Sequence, residues 1–131
     1  MNLSAHSRNR VLETFKRWHV PKDFADPMYS YLIHGYNPGS CFTSVLANDF
    51  VGAIGRSHPG NTIEAFKALA GWMRGTLPCE AFGSYQAVDD WCYLKEDARR
   101  VILEEHDLIY TAKEELFITI KEPSPREIEL Y

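Results

Sequence analysis

The sequence predicts a mainly α fold: a compact helical single domain closed by a small C-terminal β-hairpin, α+β in class. Three observations predict it. Apolar residues recur at three- and four-residue spacing through most of the chain, the period of a half-buried helix. Capping residues (Ser, Asp, Asn) and Gly/Pro breaks punctuate those stretches. Two late runs, Leu108-Ile109-Tyr110-Thr111 and Leu116-Phe117-Ile118-Thr119-Ile120, are instead rich in β-branched and aromatic side chains, the composition of strands. The expected organisation is one domain over 1–122, with the hairpin at about 107–121 and a polar tail over 123–131.

The first helix is expected from about Ser7 to Trp18, with Val11, Leu12, Phe15 and Trp18 on one face and Pro21 beyond its end. Asp26-Pro27 reads as a helix start, a capping carboxylate followed by proline in the first turn. Gly35 is placed to stop that helix. After the turn Tyr36-Asn37-Pro38-Gly39, Ser40 is expected to cap a helix running from Cys41 to about Arg56. Asn61 with Glu64 three residues on resembles a capping box, opening a helix through Ile63, Phe66, Ala70 and Met73 that stops before Pro78. Ser84 caps the next, with Tyr85, Val88, Trp91 and Cys92 on one face, and Asp97 to His106 reads as helical. Trp18, Trp72 and Trp91 suit a core or an interface. Trp72 stands off the main stripe of its helix and so marks a partner surface.

With 131 residues, 45% hydrophobic and 24% charged, the chain is long enough to bury roughly two-thirds of its unfolded surface without a metal or disulfide. A formal net charge of −4 argues against a dedicated DNA or RNA binder, which needs a basic surface. Arg8, Arg10, Lys16, Arg17 and Lys22 make the first helix basic. Such a face can touch phosphates, but its default reading is solvation. Three cysteines, Cys41, Cys79 and Cys92, without an apolar leader predict a reducing compartment, the cytoplasm. No apolar run approaches the ~18 residues that span a bilayer, so no membrane partner is expected.

The five histidines and three cysteines show no metal-ligand spacing, and neither a metal nor a cofactor is expected. A Cys41–His34–Asp49 triad is disfavoured because Cys41 projects on the flank of its helix, away from Asp49; no catalytic residue is assigned. The candidate ligand-binding set is His34, Gly35, Gly39, Ser40, Asn48, Asp49 and Arg56. Two arguments select it. A Gly-containing loop opening a helix at Ser40 offers free amides at the positive end of a helix dipole, a natural anion seat. On the wheel started at Phe42, Asp49 falls inside the apolar stripe of Val45, Leu46 and Ala53, where a carboxylate needs a partner. Arg56 lies on nearly the same face. Asn48 stands beside it as a reader of a ligand edge, and His34 is placed to satisfy the last carbonyls of its helix.

The blocks Tyr31-…-His34-Gly35-…-Pro38-Gly39-Ser40-…-Val45-Leu46-…-Asn48-Asp49 and Pro78-…-Phe82-Gly83-Ser84-…-Val88-…-Trp91 resemble a group of small phage and prophage accessory proteins. That pattern has Phe directly after Ser, whereas Cys41 stands here and Phe42 follows. The C-terminal third lies outside the resemblance. It implies a phage-encoded accessory protein acting in the cytoplasm of a bacterial host. The preferred function is a non-catalytic binder of a small anionic ligand, such as a nucleotide immune signal that it sequesters in counter-defence. The alternatives are an interaction module that inhibits or redirects a host protein, and a nucleotide hydrolase using Asp49, His34 or His58; an oligomer is compatible with each.

Overall fold

The computed structural model, which describes residues 1–130, contains eight α-helices and no strand among those residues. In order they are α1 (Ala5–Arg17), α2 (Lys22–His34), α3 (Ser40–Leu46), α4 (Phe50–Arg56), α5 (Ile63–Thr76), α6 (Tyr85–Tyr93), α7 (Glu96–Glu105) and α8 (Ala112–Lys121), with a single 3₁₀ turn at Cys79–Ala81 between α5 and α6. The core forms where α1, α2, α5, α6 and α7 meet: Val11, Phe15, Met28, Leu32, Leu69, Trp72, Trp91 and Leu103 are all sealed from solvent.

The expected C-terminal hairpin is not present. Leu108 and Ile109 are buried in the core as an irregular connector, and Leu116 to Ile120 are helical. The reason lies just upstream of the second apolar run. Thr111 and Glu114 form a reciprocal capping box, Thr111 Oγ1 accepting from the Glu114 amide and Glu114 Oε1 from the Thr111 amide. Ala112 and Lys113 are good helix formers, and Glu114 and Glu115 are favourable in a first helical turn. The started helix then carries Phe117 to Ile120 with it, overriding their β preference. A lone two-stranded hairpin, by contrast, is marginal in water. α8 is also tied down: the Ser4 and Ser7 hydroxyls both donate to Glu115 Oε1, and the Tyr110 amide donates to Ser7 Oγ, 3.0 Å away.

Other boundaries move for identifiable reasons. α2 starts at Lys22, five residues before Pro27, because Phe24 and Ala25 bury one turn ahead of Met28. Pro27 therefore sits inside the helix and frees the carbonyl of Asp23, an exposed residue within reach of water. Thr62, not Asn61, caps α5, its hydroxyl accepting from the Ala65 amide. Ser84 caps α6 as expected, and Gly35 closes α2 in the left-handed conformation. Trp72 is fully buried rather than on a partner surface. It stacks on Phe15 with centroids 4.5 Å apart and donates from Nε1 to Thr14 Oγ1. Residues past α8 run back along α1: Asn9 Nδ2 donates to the Arg126 carbonyl and Asn9 Oδ1 accepts from the Ile128 amide.

Candidate functional site

The stretch expected as one helix from Cys41 to Arg56 is two, α3 and α4, with Ala47, Asn48 and Asp49 at the break. Asn48 takes a left-handed φ of 64°, which asparagine tolerates better than most residues. Asp49 then caps α4, Oδ1 accepting from the Gly52 amide at 2.9 Å. Asp49 is thus not a carboxylate on an apolar stripe: its side chain is 36% exposed. Its second oxygen accepts from the Tyr85 hydroxyl and faces Arg56 NH1 at 3.7 Å. Arg56 NH1 in turn donates to Ser44 Oγ at 2.6 Å. The Tyr85 and Gly52 hydrogen bonds, with Arg56 adding attraction, hold the Asp49 carboxyl below the usual carboxylate range. Both Asp49 oxygens, the Ser44 and Tyr85 hydroxyls and Arg56 NH1 find partners within the chain. The cluster locks α3, α4 and α6 together.

The remaining predicted residues do not join it. His34 Nδ1 accepts from the Met1 amino group at 3.1 Å and its ring stacks on Tyr36. Burial, with the charges of Met1 and Arg99 adding to it and Glu96 opposing, holds His34 below the ordinary imidazole range. The Ile33 carbonyl near the end of α2 accepts from Arg99 Nε at 3.3 Å, beside Gly35, and not from His34. Gly39 is the N-cap of α3 and Ser40 its first residue, so Ser40 does not cap with its hydroxyl. The Gly39 amide is occupied by Asn37 Oδ1 at 2.8 Å. α3 has seven residues, too short a dipole to make an anion seat from its end alone. Cys41 Sγ donates to the Ala53 carbonyl, and burial raises its thiol pKa, the reverse of an activated nucleophile.

A different cleft, about 710 Å³ in volume, opens between α1, the end of α7 and the returning C-terminal segment. His6, Arg10, Glu13 and Arg17 line one wall, one helical face at steps of four, three and four residues; His106, Asp107, Tyr110, Glu122 and Arg126 contribute the other. Three arginines (Arg10, Arg17, Arg126) meet three carboxylates (Glu13, Asp107, Glu122), so the cleft is neutral in a chain of net charge −4. Within it, Arg10 NH1 and His6 Nε2 are buried and find no hydrogen-bond partner among the described residues. The Arg10 guanidinium carbon lies over the Tyr110 ring, 4.4 Å from its centroid, a cation–π contact that leaves NH1 without an acceptor. A buried polar nitrogen without an acceptor costs about 1–3 kcal/mol.

The i, i+4, i+7, i+11 spacing of His6, Arg10, Glu13 and Arg17 is visible in the sequence. What the sequence hides is the opposite wall, about a hundred residues away, which turns a solvated helix face into a cleft.

Comparison of the chain with known protein families, with curated proteins and with solved structures gave no match. No helix among the described residues is long and apolar enough to cross a membrane.

Proposed function

We propose that this protein is a non-catalytic binder of a small anionic ligand, held in the α1 cleft with an oxyanion on Arg10 and His6. The observation that carries this is that His6 and Arg10 both line one cleft while Arg10 NH1 and His6 Nε2 are buried without a hydrogen-bond partner among the described residues. Its 710 Å³ falls within the roughly 300–1,000 Å³ typical of small-molecule sites. Mixed charge suits a ligand with two chemistries. Arginine recognises phosphate or carboxylate, while Glu13 and Asp107 accept from amino or hydroxyl groups. A nucleotide-like molecule offers both. The resemblance to phage accessory proteins supports reading that molecule as a host defence signal, sequestered in the cytoplasm of a bacterial host.

The test is thermal denaturation with inorganic phosphate, nucleoside monophosphates, cyclic dinucleotides and ADP-ribose, each against its unphosphorylated nucleoside where one exists. A binder present at a hundred times its Kd stabilises by about 2.7 kcal/mol, a rise of roughly 10 °C for a domain of this size. We expect that rise for a phosphate-bearing ligand and its loss in Arg10→Met. Ligand-free Arg10→Met should be as stable as the parent chain or more so, since the unmet donor is gone. An unchanged Tm across the whole panel overturns the reading.

A further inference from the structure

A groove of about 570 Å³ opens between α3, α4 and α5. It shares no lining residue with the α1 cleft. α4 contributes Phe50, Ala53 and Ile54. α5 contributes Ile63, Lys67, Ala70 and Arg74 at steps of four, three and four residues, which is one face of that helix. Phe50 and Ile63 are 71% and 64% exposed, apolar surface that the fold itself leaves in contact with water.

The charges of this groove are of one sign. Among the described residues that line it, Lys67 and Arg74 are cationic and none is acidic. Neither cation makes an ion pair or hydrogen bond among the described residues, although the chain carries 18 acidic against 14 basic side chains. They stand seven residues apart on α5, about 10 Å along the axis, with Ala70 between them. Two long side chains so placed reach a single head group set over that small residue. Asn48 adds one uncharged polar group. The α1 cleft is the opposite case: most of its lining is polar, and its arginines meet as many carboxylates.

We infer that this groove binds a small amphipathic anion, its hydrocarbon chain on Val45, Ala53, Phe66 and Met73 and its carboxylate or other oxyanion held by Lys67 and Arg74. A concave site of this volume, mostly apolar with a few polar groups on one wall, has the make-up of a small-molecule site. Hydrogen bonds from a cation to an oxyanion are the strong ones, and here both donors are free to make them. The same two charges repel a cationic amphiphile of identical shape, and repulsion of that kind sets specificity. The α1 cleft suits an anion with further polar groups; this groove suits an anion with an apolar body.

Calorimetric titration of the full chain with octanoate and decanoate, below their micellar concentrations, tests this. Each buried methylene strengthens binding about fourfold, so decanoate is expected to bind roughly tenfold tighter than octanoate. Decyltrimethylammonium, with the same chain length and the opposite charge, is expected to bind at least roughly tenfold more weakly than decanoate. Lys67→Gln combined with Arg74→Gln should weaken decanoate roughly tenfold and remove the preference for the anion. Ala70→Trp, at an exposed position lining the groove, should fill it and abolish binding. Both variants should keep the far-UV circular dichroism of the parent, and Arg10→Met should bind decanoate as the parent does. The proposal is overturned if decanoate does not bind, or if the cationic amphiphile binds as tightly. It is also overturned if Arg10→Met loses the binding that the Lys67/Arg74 variant retains, because the anion then sits in the α1 cleft. Sedimentation of the ligand-free chain addresses the other occupant: a parent dimer that Ala70→Trp dissociates places a second copy on the groove and equally overturns the proposal.

Discussion

The Arg99 guanidinium lies against Gly35 so closely that a β-carbon there would stand 2.6 Å from NH1 and 3.0 Å from Cζ. Arg99 is buried, and its donors go to backbone carbonyls, Ile33 at 3.3 Å and Leu94. A cation at the carbonyl end of α2 is also where the helix dipole favours it. Gly35 is therefore required twice: for its φ of +69° and for its missing side chain.

Gly35→Ala should destabilise the protein by more than the ~1–2 kcal/mol that a left-handed alanine costs, the excess reflecting displacement of Arg99. A double-mutant cycle with Arg99→Ala separates the two parts. In the Arg99→Ala background the Gly35→Ala cost should shrink toward the backbone value, a coupling of about 1 kcal/mol or more. Urea denaturation of the four chains measures it. Equal costs in both backgrounds would show that the guanidinium yields freely.

Trp72 Nε1 donates to Thr14 Oγ1 at 2.9 Å, and that hydroxyl donates to the Val11 carbonyl at 2.6 Å, all inside the core. Thr14→Val keeps the shape and removes the acceptor, leaving a buried indole N–H unpaired. The expected loss is about 1–3 kcal/mol, with Thr14→Ser recovering much of it. Thermal unfolding of the two variants side by side is the measurement, and a Thr14→Val chain as stable as the parent would contradict it.

Asp49 has a depressed carboxyl pKa in the folded chain, chiefly through Tyr85 and then Gly52. The unfolded chain takes up its proton first on acidification. The contribution is thus fully present above the ordinary value of 3.8 and lost as pH falls through the lower, folded value. Asp49→Asn and Tyr85→Phe should both flatten this part of the stability–pH curve. Denaturant titrations at a series of acidic pH values, parent against variants, would show parallel curves if the carboxylate were not held in this way.

The legible parts of the fold were those governed by neighbouring residues. Ser84 opening α6, Gly35 closing α2 and the apolar face of α1 rest on capping and periodicity, both local, whereas on α5 only Phe66 and Met73 of the expected face are buried and Ile63 and Ala70 are exposed. The errors share a cause as well. At Asn48-Asp49 an apolar period continued across a stop-and-start signal, and the carboxylate assigned to a stripe became a cap. At Thr111 to Ile120 the β character of the apolar run outweighed the capping box preceding it, although the box acts first along the chain. The seven residues expected to share one site fell into separate neighbourhoods, because the break after α3 and the closure of α2 point their side chains at Tyr85 and Arg56 in one place and at Met1 and Arg99 in another.

From sequence by itself came the helical class, the acidic balance and the basic first helix, since each follows from composition or from contacts within a few residues. Only the tertiary structure decided that Arg10 and His6 line a cleft and that the apolar face of α8 is left uncovered. Both depend on segments about a hundred residues apart in the chain, Tyr110 and Arg126 against α1, and Glu115 against Ser4 and Ser7. The free energy of such contacts resides in burial and hydrogen bonding across that separation, and no local pattern encodes it.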